Sequence, residues 1–183
     1  EPWIYSCEWD EKLPKLNELR EKVKKMGLWL PQISTDYGGI GLSLQEHGEI
    51  SEILGGSPYG FYVFNCQAPD AGNMEILIEV GTSQQKKDYL TPLLEGKTRS
   101  CFAMTEPGYA GSNPTRMGTV AKKENGNYII NGHKWFTSSF DGADFAIVMV
   151  VTDPDEANPY KRASQIIVPT KTEGFEFVRN VSI

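Results

Sequence analysis

The sequence contains few of the residues that form covalent or metal cross-links. Among its 183 residues, the cysteines are Cys7, Cys66 and Cys101, and the histidines are His47 and His133. The cysteines are odd in number and show no Cys-x-x-Cys spacing, which argues against a disulfide framework and against a zinc site. We therefore expect no bound metal and a reducing compartment.

Long apolar runs and clusters of basic residues are also missing. The longest uninterrupted apolar run, Phe145–Val151, is too short to cross a bilayer but suits a buried strand. The N-terminus shows no basic segment followed by an apolar core, so no secretory signal is visible. The formal net charge is −6, and lysine and arginine are dispersed. We therefore expect no membrane span, no nucleic-acid partner and no tight binding to anionic membranes.

The first half of the chain has the residue spacing of amphipathic helices. Apolar residues recur at helical intervals from Leu16 to Met26, and Gly27 follows as a C-cap. Thr82 and Gln85 have the spacing of a capping box. Helices are predicted over residues 16–26, 44–54, 72–80 and 82–95. We assign residues 1–97 to a helical N-terminal domain.

The second half changes to the short, alternating pattern of strands. Asn125-Gly126 and Asn131-Gly132 are typical of tight turns. No helix-length pattern separates the strands, so an antiparallel β-barrel or sandwich is favoured over a parallel sheet. The predicted fold class is α+β, with a β domain over residues 98–183. Strands are predicted over residues 100–105, 119–123, 128–130, 134–137, 145–151, 165–168 and 175–178.

Two stretches of the β domain have residues suited to ligand binding. In residues 101–113 a strand runs into a loop of small residues, where exposed N–H groups could hold phosphate or carbonyl oxygens. In residues 131–139, strand alternation predicts that Trp135 and Thr137 share one face, which suits a flat ligand with polar edges. Taken alone, the first stretch is better explained as a surface loop that links two strands, and the second as a tryptophan packed in a barrel core.

Together the two stretches resemble signatures of the acyl-CoA dehydrogenase family. The run Met-Thr-Glu-Pro at 104–107 is similar to the first signature, and residues 129–137 are similar to the family's flavin-contacting strand. Residues 64–75 resemble the branch that includes human members ten and eleven. The family has a helical N-terminal domain, a β middle domain and a C-terminal four-helix domain. This chain matches the first two, and the third is absent from it.

The resemblance implies a set of flavin-contacting residues. Ser112 corresponds to a serine near the flavin phosphates and the CoA thioester, so it is also expected to bind substrate. Asn113 stands where the family usually has aspartate, which keeps a hydrogen-bonding group and loses the charge. The residues expected to contact FAD are Phe102, Ala103, Met104, Thr105, Gly111, Ser112, Asn113, Trp135, Phe136 and Thr137.

The resemblance also implies a reaction and partners. Family members remove hydrogen from the α,β-bond of an acyl-CoA and pass electrons to an electron-transferring flavoprotein. The carboxylate base lies in the C-terminal domain, so no catalytic residue is expected in this chain, and the fragment alone should be inactive and hold FAD weakly. Full-length members form homodimers or homotetramers. The expected location of the protein is the cytoplasm if its source is bacterial, and the mitochondrion or peroxisome if its source is eukaryotic.

Alternative functions remain open at this stage. An acyl-CoA oxidase or a flavin monooxygenase could be built on the same fold, because fold does not fix chemistry. The chain could also be a non-catalytic binding fragment.

Overall fold

The structure, a computed structural model, describes residues 8–111 and 113–181. The chain divides into two compact units, residues 1–97 and 98–183. The first unit is helical, and all strands of the described ranges lie in the second. The α+β class predicted from the sequence is confirmed. Within the described ranges, no helix is both long and apolar enough to cross a membrane.

The helical unit consists of one long helix and several shorter ones. Helices are present in all four predicted regions, but the first begins at Trp9, and the helix predicted over residues 82–95 is divided into three short pieces. The helices are α1 (Trp9–Lys25), α2 (Leu44–Leu54), α3 (Gly60–Val63), α4 (Asp70–Val80), α5 (Ser83–Gln85) and α6 (Thr91–Leu94). A 3-10 turn spans Thr35–Tyr37, and a π-helical turn, Lys86–Leu90, joins α5 to α6.

Local sequence determines where these helices begin and end. Thr82 and Gln85 form the predicted capping box at the start of α5, because each side chain accepts the other residue's backbone N–H. A second capping box, between Ser43 and Glu46, starts α2. Gly27 follows α1 with a φ of +71°, a conformation that glycine adopts without a side-chain clash.

Apolar side chains and one buried arginine form the interior of this unit. Leu16 and Val23 of α1 pack against Tyr62 and Val63 of α3, and all four are buried. The Arg20 guanidinium lies over the rings of Trp29 and Tyr62, at 5.1 and 4.6 Å. It also donates a 2.9 Å hydrogen bond to the Tyr62 hydroxyl. The buried charge is therefore held by two aromatic faces and a phenol oxygen.

The β unit contains a mixed five-stranded sheet. The central strand β4 is buried along most of its length, as its apolar run predicts. Its alternate residues Ala146, Val148 and Val150 pack with Cys101 and Ala103 in the core of the sheet. The strands are β1 (Ser100–Ala103), β2 (Val120–Glu124), β3 (Asn127–Asn131), β4 (Phe145–Val151) and β5 (Ala163–Pro169).

The pairing of the strands corrects the expectation of an antiparallel arrangement. β2 pairs with β3, and β4 with β5, in the antiparallel sense. β1, however, runs parallel to β4, and β2 joins β4 in parallel through Val120 and Val151. These parallel contacts link residues far apart in sequence, and no helix is needed between them because the intervening chain contains β2 and β3.

Two predicted strands and one predicted turn are wrong. Residues 134–137 and 175–178 have no strand pairing. Asn125-Gly126 forms the predicted tight turn, with φ values of +50° and +83°. Asn131-Gly132 forms none: Asn131 ends β3, and Gly132 lies so close to the Thr119 side chain that a Cβ would collide with it. Gly132 is therefore explained by this close contact and not by a turn.

Candidate functional site

Two hydrogen bonds between Thr105 and Trp135 join the two stretches that the sequence predicts to bind a ligand. The Thr105 hydroxyl donates to the Trp135 carbonyl over 2.6 Å, and the Trp135 N–H donates to the Thr105 carbonyl over 3.0 Å. Thr105 follows β1, and Trp135 follows β3. The reciprocal bonds therefore fix the backbones of two distant chain segments side by side, and they use the hydroxyl proton of Thr105.

The Glu106 carboxylate connects a third segment to this junction. Glu106 is 4% exposed and accepts the backbone N–H groups of Gly118 and Thr119 over 2.5 and 2.9 Å. Gly118 and Thr119 lead into β2, so the carboxylate closes the base of the loop that runs from Glu106 to Gly118. It also accepts a 2.8 Å hydrogen bond from the Lys134 ammonium.

The surroundings of Glu106 keep its carboxyl group ionised. Burial alone would raise its pKa, because a charge is poorly solvated inside the protein. The Lys134 ammonium and the backbone N–H groups of Gly118 and Thr119 outweigh burial and lower the pKa to about 2. Glu106 is therefore a permanent anion at neutral pH.

Lys134 is the cation of this buried ion pair. Its ammonium donates 2.8 Å hydrogen bonds to the Glu106 carboxylate and to the Met104 carbonyl. The two charged side chains are 11% and 5% exposed. Burial lowers the pKa of Lys134, and the neighbouring carboxylate opposes that shift. Lys134 thus holds Met104 and Glu106, on either side of Thr105, to the segment that contains Trp135.

The loop after Glu106 is shaped by its own side chains. The Asn113 side-chain oxygen accepts the Thr115 N–H over 3.0 Å and the Thr115 hydroxyl over 2.7 Å. Asn113 therefore keeps the acceptor function expected of the usual aspartate. Gly111 lies against Thr105, where an added Cβ would be 2.9 Å from the threonine methyl group. A larger residue at 111 would push the loop away from Thr105.

Trp135 and Phe136 present their rings to the outside of the junction. Trp135 is 40% exposed and Phe136 is 55% exposed, and their ring centroids are 4.9 Å apart in an edge-to-face arrangement. Phe136 has a φ of +48°, and Ser139 has a φ of +65°. This left-handed backbone is incompatible with a strand and explains why the alternation predicted for residues 134–137 is wrong.

The other predicted site residues occupy different environments. Phe102 and Ala103 lie in β1 beside Ile147 and Val148 of β4. The Ala103 side chain is buried in the core, so any contact it makes with a ligand has to come from its backbone. Ser112 lies outside the described residues.

Met104 and Thr137 lie on either side of the Thr105–Trp135 junction. Met104 lines a small hollow together with Gly111 and Met117. Thr137 is half-buried, and its hydroxyl has no hydrogen-bond partner among residues 8–111 and 113–181. This hydroxyl is therefore free to bond a ligand.

Sequence reasoning missed the ion pair that connects these segments. Lys134 lies within the second stretch, but its contact with Glu106 spans 28 positions and has no local signature. One signal was present: each stretch contains one charged residue, and the two residues, Glu106 and Lys134, have opposite charges. Nothing in the sequence indicated that the backbone N–H groups of Gly118 and Thr119 would bond Glu106.

These residues fit a flat aromatic cofactor with polar edges. The indole of Trp135 offers an exposed aromatic surface, and Thr137, two residues further along the chain, has a hydroxyl that is free to form a hydrogen bond. The close approach of Gly111 to Thr105 leaves the loop without a side chain at that point. FAD has a flat ring and a polar edge of this kind.

Comparison with protein families matches both units. Residues 1–97 match the model described as the acyl-CoA dehydrogenase N-terminal domain, and residues 101–182 match the model described as the acyl-CoA dehydrogenase middle domain. The two matches together cover nearly the whole chain.

Individual relatives point to the same family. Acyl-CoA dehydrogenase family member 10 of Mus musculus is 43% identical over 178 residues, which are 93% of this chain and 16% of the mouse protein. Family member 11 of Gallus gallus is also 43% identical over 178 residues, covering 94% of this chain and 22% of the chicken protein. The chain thus spans less than a quarter of the length of either relative.

A solved structure shares the fold as well as the sequence pattern. It is a candidate acyl-CoA dehydrogenase from Mycobacterium abscessus, with a TM-score of 0.84 and 40% identity. The match covers 88% of this chain and 40% of the mycobacterial chain. The chain belongs to the acyl-CoA dehydrogenase family, of which it contains the N-terminal and middle domains.

Proposed function

We propose that the protein catalyses the FAD-dependent α,β-dehydrogenation of an acyl-CoA thioester to a 2-enoyl-CoA. In this proposal the present chain supplies one wall of the flavin and substrate site. Members of the family are flavoprotein oxidoreductases. The observation that carries the proposal is the Thr105–Trp135 junction, which holds the exposed Trp135 indole against the segment that follows β1.

The residues of this wall bind and orient the cofactor in the proposal. When bound, FAD supplies the two-electron acceptor that removal of hydrogen from the acyl chain requires. Trp135 packs against the ring and excludes water from it. The Thr137 hydroxyl bonds the polar edge of the ring, and the backbone of Met104 and Thr105 lines the ring beside Trp135.

Glu106 is unsuited to take the α-proton of the substrate. Its carboxylate is buried, already accepts hydrogen bonds from three residues, and has a pKa lowered to about 2. A general base works best when its pKa lies near the pH at which the enzyme operates. We therefore assign the base to a carboxylate outside this chain, in the C-terminal domain.

The loop from Glu106 to Gly118 is the proposed contact with the phosphates and the thioester. Its small residues Gly108, Ala110 and Gly111 allow a ligand to approach the backbone, and Ser112 is the residue that the family resemblance assigns to this contact. The electron acceptor proposed for the intact enzyme is an electron-transferring flavoprotein. A homodimer or homotetramer is the proposed assembly.

Turnover by the intact, FAD-loaded protein tests the proposal. A series of acyl-CoA thioesters is supplied with ferricenium as electron acceptor, and peroxide release is measured in parallel under oxygen. We expect ferricenium reduction with formation of the 2-enoyl-CoA and little peroxide. Peroxide in proportion to product would indicate an oxidase, and oxygen incorporation would indicate a monooxygenase. FAD binding without turnover of any acyl-CoA would contradict the proposed reaction.

A further inference from the structure

We propose that Glu106 and Lys134 are positioning residues of the flavin wall, and that their ion pair sets the location of the Trp135 indole. The inference rests on the proposed function and names residues to which that function assigns no contact with FAD. Neither side chain is exposed enough to form the surface of the wall, because only 5% of Glu106 and 11% of Lys134 is accessible to solvent.

The pair connects three chain segments through side-chain hydrogen bonds. Glu106 itself follows β1, and its carboxylate holds Gly118 and Thr119 at the start of β2. Lys134, after β3, bonds both Glu106 and the Met104 carbonyl. The two bonds between Thr105 and Trp135 lie one residue away from both members of the pair. Any shift of the pair therefore moves this junction.

A buried ion pair contributes little net free energy to folding. Removing two charges from water costs about as much as their attraction returns, so apolar side chains of similar size serve the fold equally well. The hydrogen bonds of the pair are directional, so they fix the positions of the groups that they join. Apolar contacts are not directional and would leave these groups free to shift. The Phe136 backbone, with its φ of +48°, needs such fixed neighbours if Trp135 is to stay in one place.

The test separates positioning from stability by removing one charge and then both. The variants are Glu106→Gln, Lys134→Met and the double variant, made in the intact protein, with Lys134→Arg as the charge-conserving form. Asp144→Asn is the matched control, because that carboxylate also accepts a backbone N–H, from Arg99 over 2.9 Å, at the other end of β1. Thermal unfolding, FAD affinity, the visible spectrum of bound flavin and the ¹⁹F signal of fluorinated Trp135 are recorded.

The ¹⁹F signal is assigned with Trp135→Phe and is measured with and without FAD. We expect Glu106→Gln and Lys134→Met to shift or broaden the Trp135 signal even without FAD, and to weaken FAD binding about tenfold or more. The double variant should recover much of the lost thermal stability, because no unpaired charge remains, yet keep the altered Trp135 signal and flavin spectrum. Lys134→Arg should be closer to wild type, and Asp144→Asn should change neither signal.

Two results would overturn the inference, and they are distinguishable. If the double variant recovers stability together with a wild-type Trp135 signal and flavin spectrum, the pair serves the fold alone and the proposed function stands. If the wild-type intact protein binds no FAD, the proposed function fails and the inference fails with it.

Discussion

The hydroxyl of Thr105 lies 2.6 Å from the carbonyl oxygen of Trp135, and the Trp135 N–H returns a 3.0 Å bond to the Thr105 carbonyl. These two bonds join two chain segments, neither of which identifies a binding site by its sequence alone, into one surface. It also means that Thr105 contributes chiefly by holding Trp135, because its hydroxyl proton already has an acceptor. A ligand can still approach the threonine oxygen and the backbone beside it.

The first prediction concerns this hydroxyl. We expect Thr105→Val to lower the free energy of unfolding by about 1 kcal/mol, as for one lost hydrogen bond, and to weaken FAD binding as Trp135 moves. Thr170→Val is the matched control, because the Thr170 hydroxyl also donates to a backbone carbonyl, that of Ala143, over 2.8 Å. Urea unfolding and FAD titration of the intact protein provide the comparison. Equal FAD affinities for both variants would contradict the prediction.

The second prediction concerns pH and Glu106. Its folded pKa of about 2 lies below the ordinary value of 4.5, because Lys134 and the backbone donors outweigh burial. The ionised carboxylate therefore stabilises the fold above about pH 4.5, and this contribution is lost as the pH falls toward 2. We expect the stability difference between wild type and Glu106→Gln to shrink over that window. A difference that stays constant from pH 5 to pH 2 would show that Glu106 has an ordinary pKa.

The third prediction uses two glycines with open surroundings and different backbones. A Cβ at either Gly126 or Gly72 meets no atom within 4 Å, but Gly126 has a φ of +83° in the β2–β3 turn. Gly126→Ala should therefore destabilise the protein by about 1 kcal/mol. Gly72→Ala, within helix α4, should stabilise it by up to about 1 kcal/mol. Urea unfolding measures both, and the same sign for the two variants would refute the backbone argument.

The fourth prediction concerns the buried arginine of the helical unit. We expect Arg20→Lys to destabilise the protein by about 2 kcal/mol, because an ammonium cannot both stack on Trp29 and reach the Tyr62 hydroxyl. Tyr62→Phe, which removes only the phenol oxygen, should cost about 1 kcal/mol. Lys22→Arg on the exposed face of α1 is the control. An Arg20→Lys variant as stable as wild type would show that charge alone matters at this position.

Local features of the fold were predictable from the sequence. The capping box of Thr82 and Gln85, the Asn125-Gly126 turn and the bounds of the apolar strand Phe145–Val151 all depend on neighbouring residues. The parallel pairing of β1 with β4 was not predictable, because it joins residues more than 40 positions apart.

The candidate site divides in the same way. Its two stretches were predictable as family signatures, but the geometry between them was not. The segment that contains Trp135 looked like a strand, and the left-handed backbone at Phe136 has no marker such as glycine or asparagine at that position. The contact of Lys134 with Glu106 depends on how β1 and β3 are brought together in the folded sheet.

The most direct test of the central claim is a crystal structure of the intact protein with FAD bound. The account predicts that the flavin ring lies in van der Waals contact with the Trp135 indole, beside the Met104–Thr105 backbone, with the Thr137 hydroxyl bonded to its polar edge. A flavin ring bound elsewhere, with Trp135 still exposed to solvent, would contradict it.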